Sequence, residues 1–308
     1  MFGAKSNGAI AASLVLTIFL WGANNVGVKY LIAGGWPPVF VGCARFLPAG
    51  LLLLAILRWT NWFGARSPLT AEQRRALWWR GGLSLAVYIA AFNWAVHYTS
   101  ASHVALYLGA SPVWALLWEG KPERNWRSAQ RYGAALLAAS GVIALFWPKL
   151  RQGDSQFLGE VLGLAASILW TNYSRQCRAF GASLSGAEIT AHTMLRGALW
   201  LLPPALMEIA TRRVLWRAGD FAVFGYTVVG GGVVAFALWN NALRHWPTSQ
   251  VFLFNNLIPL CTMVWAGACL HEPVTPTFWL AMLLIVTGVV LGQTNWQKIV
   301  GARWLPFE

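Results

Sequence analysis

Polar side chains occur at intervals within long apolar stretches of this 308-residue chain. Amide, imidazole, phenol and indole groups in such places can contact a small solute, and they form the candidate substrate-binding set: Asn24, Asn93, Trp94, His97, His103, Tyr107, Asn172, Tyr173, Trp239, Asn240, Asn241 and Asn256. A polar group without a partner is costly in lipid, so each must face another polar group, water or a ligand. Hydrogen bonding between helices is the alternative role for each of them.

Arg45 and Arg196 are the only cations placed well inside apolar stretches. A guanidinium there could bind a substrate carboxylate through two parallel hydrogen bonds. The alternative is a structural tie to backbone carbonyls, or to Glu160 or Glu188. The sequence leaves both roles open.

All ten acidic residues lie between the apolar stretches or near their ends. None is therefore predicted to carry a proton at mid-membrane depth. If the protein couples to protons, a histidine is the predicted carrier, and the candidates are His97, His103 and His192.

Signatures of enzymes and metal sites are missing from the sequence. It has no HExxH or GxSxG motif, and its four cysteines form no CxxC or Cys/His pattern. The sequence therefore predicts a protein that is not an enzyme and that has no metal site and no cofactor.

The composition places these side chains in a membrane. Hydrophobic residues make up 57% of the chain and charged residues only 11%, which is too apolar for a soluble protein of this length. A spanning helix needs about 20 apolar residues. Ten predicted spans lie near residues 9–31, 38–57, 77–97, 101–118, 130–147, 158–176, 186–209, 220–243, 247–270 and 276–293.

The chain contains an internal repeat. Residues 87–142 align without a gap onto 234–289 at an offset of 147, with fifteen of 56 pairs identical. Asn93 corresponds to Asn240, and Pro112 to Pro259. Because a proline interrupts helical hydrogen bonding, Pro112 and Pro259 are the predicted gating or hinge positions. More weakly, Trp21 with Lys29 eight residues later is echoed by Trp170 with Arg178.

Five helices per repeat is an odd number, so the second repeat must enter the bilayer in the opposite direction to the first. The predicted fold is all-α, with two inverted five-helix repeats in residues 1–150 and 151–308. The basic residues, which give a net charge of +13, are spread through short joints rather than clustered as in a nucleic-acid site. Their excess in one set of joints places both termini in the cytoplasm. Gly288 and Gly292 are spaced for tight packing or homodimerisation.

Several segments resemble the drug/metabolite transporter superfamily, EamA type. They are LWGANNVGVKY at 20–30, Arg45-Phe46-Leu47, YTSAS at 98–102 running on to Pro112, and Glu272 followed by the helix that contains Gly288-Val289. The resemblance implies a ten-helix carrier whose central cavity is lined by helices one, three, four, six, eight and nine. One departure is that Glu272 corresponds to Asn125 in the first repeat.

Two further segments, WNNALRHW at 239–246 and EGKPERNW at 119–126, are similar to bacterial exporters of aromatic amino acids. The expected function is export of small metabolites, most simply aromatic or other large neutral amino acids, across the bacterial inner membrane by alternating access. The lipid bilayer and the small-molecule substrate are the expected partners, and nucleic acid is not. A carrier of nucleotide sugars, purines or drugs is the first alternative, and a membrane-embedded enzyme is an alternative from another class.

Overall fold

The computed structural model describes residues 7–60, 68–119, 126–150 and 155–293, and within these ranges the regular structure is entirely helical. Ten helices cross the molecule, which confirms the predicted fold class. They are α1 Asn7–Ala33, α2 Pro38–Trp59, α3 71–98, α4 101–119, α5 Trp126–Leu150, α6 Ser155–Phe180, α7 Gly186–Thr211, α8 Ala218–His245, α9 248–270 and α10 Pro276–Gln293.

Hydrogen-bonding side chains fix where several helices begin. The Ser100 hydroxyl accepts a hydrogen bond from the His103 N–H at the start of α4. Ser185 and Glu188 form a capping box at the start of α7, in which each side chain accepts from the other residue's backbone N–H. Such caps satisfy backbone donors that a helix leaves unpaired. Between α1 and α2 the chain turns through Gly35 at φ 102°, which favours glycine.

Four helices depart from regular α geometry, at related places in the two repeats. A π-helical segment, Leu77–Gly82, lies in α3, and another, Thr227–Val234, lies in α8. Helix α4 is interrupted at Ala110, and α9 contains the 3₁₀ segment Leu253–Leu257. Such irregular segments often mark functional positions in helices.

Helix packing follows the inverted repeat. Helix α2 packs mainly on its counterpart α7, and α5 on its counterpart α10. Helix α3 packs on α6, and its counterpart α8 packs on α1 in the equivalent way. Similarly, α1 packs on α9, and its counterpart α6 packs on α4. A two-fold relation that exchanges α1–α5 with α6–α10 produces this set of pairs, so the duplication seen in the sequence is also the symmetry of the packing.

The outward faces of the helices suit a lipid environment. Large apolar side chains are exposed there, among them Leu51, Leu136, Val264 and Leu283. Within the described residues, four helices are individually long and apolar enough to span a bilayer: Asn7–Ala33, Pro38–Trp59, Ala218–His245 and Gln250–Leu270. The other six are shorter or carry more polar residues, and they complete the same bundle.

Candidate functional site

A small cavity lies at the centre of the bundle, where both repeats contribute side chains. Its volume is about 30 Å³, which is room for about two water molecules. Its lining comes from seven helices and consists of Trp21, Asn24, Asn25, Arg45, Phe46, Tyr88, Ile89, Phe92, Leu108, Trp170, Phe236 and Ile258. The family resemblance predicted six of these helices as cavity-lining. Helix α2 lines the cavity as well, although it was not among the predicted ones. A metabolite is larger than this volume, so the cavity must widen to hold one.

Aromatic residues make up half of the cavity lining, six of its twelve residues. The rings of Trp21 and Trp170, which correspond in the two repeats, meet edge to face with centroids 5.2 Å apart. Trp21 also lies 5.2 Å from Phe236 and 5.1 Å from Trp239. Its indole N–H donates to the carbonyl of Gly231 at 3.1 Å. Since aromatic clusters are rigid and present both faces and edges, they form an apolar, shape-selective wall.

Arg45 supplies the charge in the central cavity. The residue is 1% exposed, and its Nη2 donates to Asn24 Oδ1 at 2.7 Å. Nε has no hydrogen-bond partner, and among the described residues no carboxylate forms an ion pair with this side chain. The structure therefore differs from the predicted tie to Glu160 or Glu188. A buried guanidinium with so few partners is energetically costly unless a ligand supplies the missing hydrogen bonds.

Asn24 and Asn25 bring two amides to the same cavity from α1. A Cβ atom on Gly231 would lie 2.1 Å from Asn24 Oδ1, so glycine in the π-helical segment of α8 makes room for this amide. Asn25 Nδ2 donates to Thr262 Oγ1 of α9 at 3.1 Å. Of the twelve candidate residues, Asn24 alone lines the cavity. Asn25 and Arg45 lie beside it although neither belongs to the candidate set.

Asn93 and Asn240 occupy equivalent places, and both lie outside the cavity lining. Asn93 Nδ2 donates to the carbonyl of Pro38 at 2.8 Å, which ties α3 to the start of α2. Asn240 Nδ2 donates to Thr190 Oγ1 at 2.9 Å, which ties α8 to the start of α7. Both side chains are buried, and in each the amide oxygen has no partner. In this conformation the two amides join helices within one repeat.

The other candidates are dispersed around the bundle. Trp239 and Tyr173 are buried behind the cavity wall and bond to Ser174 and Thr193, respectively. Trp94 stacks on Tyr98 and lies beside the exposed His97 at one end of the molecule. Three amides remain, and they are buried or half-buried outside the cavity lining. They are Asn172 on α6, Asn241 on α8 and Asn256 on the 3₁₀ segment of α9.

The two interrupted helices meet at their interruptions. A Cβ atom on Gly109, beside the interruption in α4, would lie 3.1 Å from Pro259 Cγ of α9. Pro259 stands at the start of the helical segment Ile258–Leu270, where a missing N–H costs no helical hydrogen bond. Pro112 stands just after Ala110 in α4. The proline positions therefore coincide with real interruptions next to the cavity-lining residues Leu108 and Ile258.

Lys29 closes one end of the bundle, where α1 and α3 end and α4 and α6 begin; we term it the Lys29 end. The ammonium Nζ donates to the carbonyl of Val96 at 2.7 Å and to that of Thr99 at 2.8 Å. The last carbonyls of a helix lack helical partners and carry partial negative charge, so they attract a cation. Lys29 thereby holds the ends of α1 and α3 together.

Arg178 makes the corresponding contact at the opposite end, where α6 and α8 end; we term it the Arg178 end. Its Nη1 donates to the carbonyl of Leu243 at 3.2 Å and also to that of Trp246. These acceptors are the equivalents of Val96 and Thr99 at the offset of 147. The weak sequence echo between Lys29 and Arg178 thus corresponds to a pair of equivalent clamps.

A buried carboxylate joins the repeats at the Lys29 end. Glu160, in the first turns of α6, is fully buried, and its Oε1 accepts from Thr99 Oγ1 at 2.8 Å. The same oxygen lies 2.9 Å from Nδ1 of His103 on α4. The hydroxyl of Tyr107, one turn further along α4, also interacts with Glu160. Glu160 lies near a span end, as predicted, but packing buries it and makes it a second titratable group beside a candidate histidine.

Glu272 binds the start of α4 from the opposite repeat. Its carboxylate accepts from the Ala101 N–H at 2.9 Å, and from the Ser102 N–H and hydroxyl at 3.2 and 2.8 Å. A carboxylate at a helix N-terminus is stabilised by the unpaired N–H groups and the helix dipole. The position corresponding to Glu272 in the first repeat, Asn125, lies outside the described residues.

Comparison with known proteins agrees with this architecture. The model of the EamA-like transporter family matches residues 8–147 and again residues 157–292. The chain therefore belongs to the EamA-like transporter family, within the drug/metabolite transporter superfamily, and is a membrane transporter.

Proteins similar to this chain include an uncharacterized transporter of Archaeoglobus fulgidus, 26% identical over 90% of this chain and 95% of that protein. The uncharacterized inner membrane transporter YedA of Escherichia coli is 25% identical over 91% and 89%, respectively. One solved crystal structure shares the fold with a TM-score of 0.67 at 19% identity, covering 97% of this chain and all of that one.

Proposed function

We propose that this transporter exports aromatic or other large neutral amino acids across the bacterial inner membrane. One observation carries the proposal: the cavity combines a single buried, incompletely bonded guanidinium with a lining of which half is aromatic. Arg45 is suited to a carboxylate, which a guanidinium binds bidentately. The rings of Trp21, Trp170 and Phe236 are suited to a large apolar side chain.

The same cavity offers partners for an ammonium group. Asn25 uses its amide nitrogen on Thr262, which leaves the amide oxygen to accept from a substrate. The faces of Trp21 and Tyr88 add favourable contacts with a cation. Carboxylate, ammonium and side chain of one zwitterion would thus contact three different parts of the lining.

Transport requires the cavity to open to each side in turn. We propose that the two repeats rock about their packed centre, with Pro112 and Pro259 as hinges beside the cavity. The excess of basic residues in one set of joints supports cytoplasmic termini, which turns the Lys29 end outward and the Arg178 end toward the cytoplasm.

A carrier of nucleotide sugars, purines or drugs is the second candidate. A nucleotide sugar linked through a diphosphate carries two negative charges where a carboxylate carries one, and Arg45 is the one cation among the described lining residues. The lining therefore favours a substrate with a single acidic group over a nucleotide sugar.

Purified protein in liposomes tests the proposal. We expect counterflow of labelled phenylalanine, tryptophan, tyrosine or leucine, and little counterflow of nucleosides or nucleotide sugars. Unlabelled phenylethylamine, which lacks the carboxylate, should compete poorly with phenylalanine. Liposomes that exchange none of the amino acids would contradict the proposed function.

A further inference from the structure

Asn255 has a property that the proposed substrate site does not explain. It lies in the 3₁₀ segment Leu253–Leu257 of α9 and is fully buried. Neither its amide oxygen nor its amide nitrogen has a hydrogen-bond partner among the described residues. A buried amide without hydrogen bonds is costly unless water or a ligand supplies them. Asn255 therefore has one acceptor and one donor group available for a molecule that reaches it.

The side chain of Asn255 lies on the inner face of α9. Residues three apart share a face of a helix, so Asn255 shares its face with Phe252 and Ile258. Both neighbours are buried; Ile258 lines the cavity, and the ring centroid of Phe252 lies 6.4 Å from that of the lining residue Trp170. Leu257, on the outward face of the same segment, is 41% exposed. Asn255 thus stands between two side chains that form or contact the cavity wall.

The equivalent position in the first repeat is also at the cavity. At the offset of 147 Asn255 corresponds to Leu108, which lines the cavity from α4. Because the repeats are inverted, Leu108 lies toward the Lys29 end and Asn255 toward the Arg178 end. The cavity therefore meets an apolar side chain on one side and an amide on the other.

Asn255 and the guanidinium of Arg45 lie at different levels along the bundle. Helix α9 begins at the Arg178 end, and Thr262, seven residues after Asn255, accepts a hydrogen bond from Asn25. Asn25 is next in sequence to the amide that binds Arg45. A helix rises about 1.5 Å per residue, so Asn255 lies about 10 Å from this level, toward the Arg178 end.

Aromatic rings lie between these two levels. Trp21 precedes Asn25 by one turn of α1, a helix that begins at the Arg178 end, where Asn7 bonds to the indole of Trp246. The ring of Trp21 in turn contacts that of the lining residue on α6. An aromatic amino acid whose carboxylate contacts Arg45 therefore has its ring beside Trp21. The tip of that ring points toward the Arg178 end.

We propose that Asn255 is a substrate-binding residue whose amide binds the polar tip of an aromatic side chain, the hydroxyl of tyrosine or the indole N–H of tryptophan. The proposal rests on the proposed export of amino acids and specifies which of them the site prefers. Widening of the cavity brings the amide into contact with the substrate. A side chain without a polar tip leaves the buried amide unpaired, so phenylalanine and leucine bind more weakly.

Transport kinetics in liposomes test this selectivity. Wild-type protein should exchange tyrosine with a KM about fivefold lower than that for phenylalanine, the factor expected for one neutral hydrogen bond. Asn255→Leu, which introduces the residue type of the equivalent position, should abolish this preference by raising the KM for tyrosine and not that for phenylalanine. Asn255→Ala should have the same effect and serves if the leucine variant does not fold. Wild-type protein without the preference, or variants that change both KM values in equal proportion, would overturn the proposal.

Two other variants separate substrate binding from the shape of the segment. Asn255→Ser keeps a hydrogen-bonding group and should retain part of the preference for tyrosine. Leu257→Ala is the matched control, because it shortens an outward-facing side chain of the same 3₁₀ segment and should leave the preference at the wild-type level. If Leu257→Ala loses the preference as Asn255→Leu does, the shape of the segment determines selectivity and the proposal is wrong.

Cysteine labelling keeps this proposal distinguishable from the proposed function. If no amino acid is exchanged, the export function and the amino-acid selectivity fail together, and labelling decides whether Asn255 lies in the substrate path. A small charged thiol reagent should react with Asn255→Cys in liposomes, because the opened cavity admits water. It should not react with Leu257→Cys, which faces lipid. Peptide mass spectrometry locates the label, so the four native cysteines do not interfere. Equal labelling of both variants, or of neither, would exclude Asn255 from the path.

Discussion

The Lys29 end and the Arg178 end share one device and differ in another. At both, a cation from the last turns of α1 or α6 binds the final carbonyls of α3 or α8. Among the described residues, the Lys29 end alone adds a buried pair that crosses between the repeats, Glu160 with His103. The duplicated feature holds helices within a repeat, and the feature found once holds the repeats together. Symmetry thus supplies the scaffold, and the departures from symmetry distinguish the two ends.

The two arginines near the cavity show the same departure from symmetry. Arg45 faces the cavity and binds Asn24, whereas Arg196, at a similar place in the second repeat, bonds to the ring and carbonyl of His192 and lies outside the lining. The charged half of the site therefore comes from one repeat only. An asymmetric substrate such as an amino acid then has one preferred orientation.

Removing this charge should produce the largest effect. Arg45→Gln should reduce amino-acid exchange roughly 100-fold, because charge-assisted hydrogen bonds to the carboxylate are lost. Arg196→Gln is the matched control and should change exchange less than about threefold, since its contacts with His192 and with the ring of Trp78 lie outside the cavity lining. Initial rates of counterflow, normalised to folded protein by gel filtration, provide the measurement. Equal losses in the two variants would break the distinction between the arginines.

Removing each clamp should loosen its own end of the bundle and leave the other end unchanged. Lys29→Met should loosen the end of α3, and Arg178→Met the end of α8, each by about tenfold in local opening, because a charged hydrogen bond to helix carbonyls is lost. Hydrogen exchange measured by mass spectrometry should increase around residues 96–104 in the first variant and around 243–251 in the second. If both variants loosen the same end, the two clamps are not equivalent.

The equivalent amides should show a smaller and symmetric effect. Asn93→Ala and Asn240→Ala each remove a buried hydrogen bond between helices, a loss of about 0.6 to 2 kcal/mol in membrane proteins. Both variants should lower the melting temperature in detergent by similar amounts. Counterflow that falls while the melting temperature stays unchanged would instead place the amide in the substrate path.

The sequence predicts the scaffold well because its signals are local or repeated. Runs of apolar residues predict ten helices, and the observed bounds lie within about six residues of the predicted spans. The repeat anticipates the contact of Trp21 with Trp170 and the clamps of Lys29 and Arg178. Each of these follows from a pattern that occurs twice in the chain.

What the sequence does not show depends on packing between distant segments. The bond from Arg45 to Asn24 depends on how α1 crosses α2, and the space for that amide depends on Gly231 in α8. Glu160 lies near a predicted span end, so only the packing of α4 across α6 reveals its burial. The sequence indicates the contact of Glu160 with His103 only through an asymmetry of the repeat, because His103 corresponds to Gln250 in the second repeat.

Glu272 offers the smallest and most specific test of the comparison between the ends. It accepts three hydrogen bonds from the start of α4, and Glu272→Gln keeps the shape but removes the charge that favours a helix N-terminus. We expect closure of the Lys29 end to weaken only about twofold to fivefold, since interactions with the helix dipole contribute about 0.3 to 1 kcal/mol. Hydrogen exchange should therefore rise slightly around residues 101–104 and remain unchanged near Arg178.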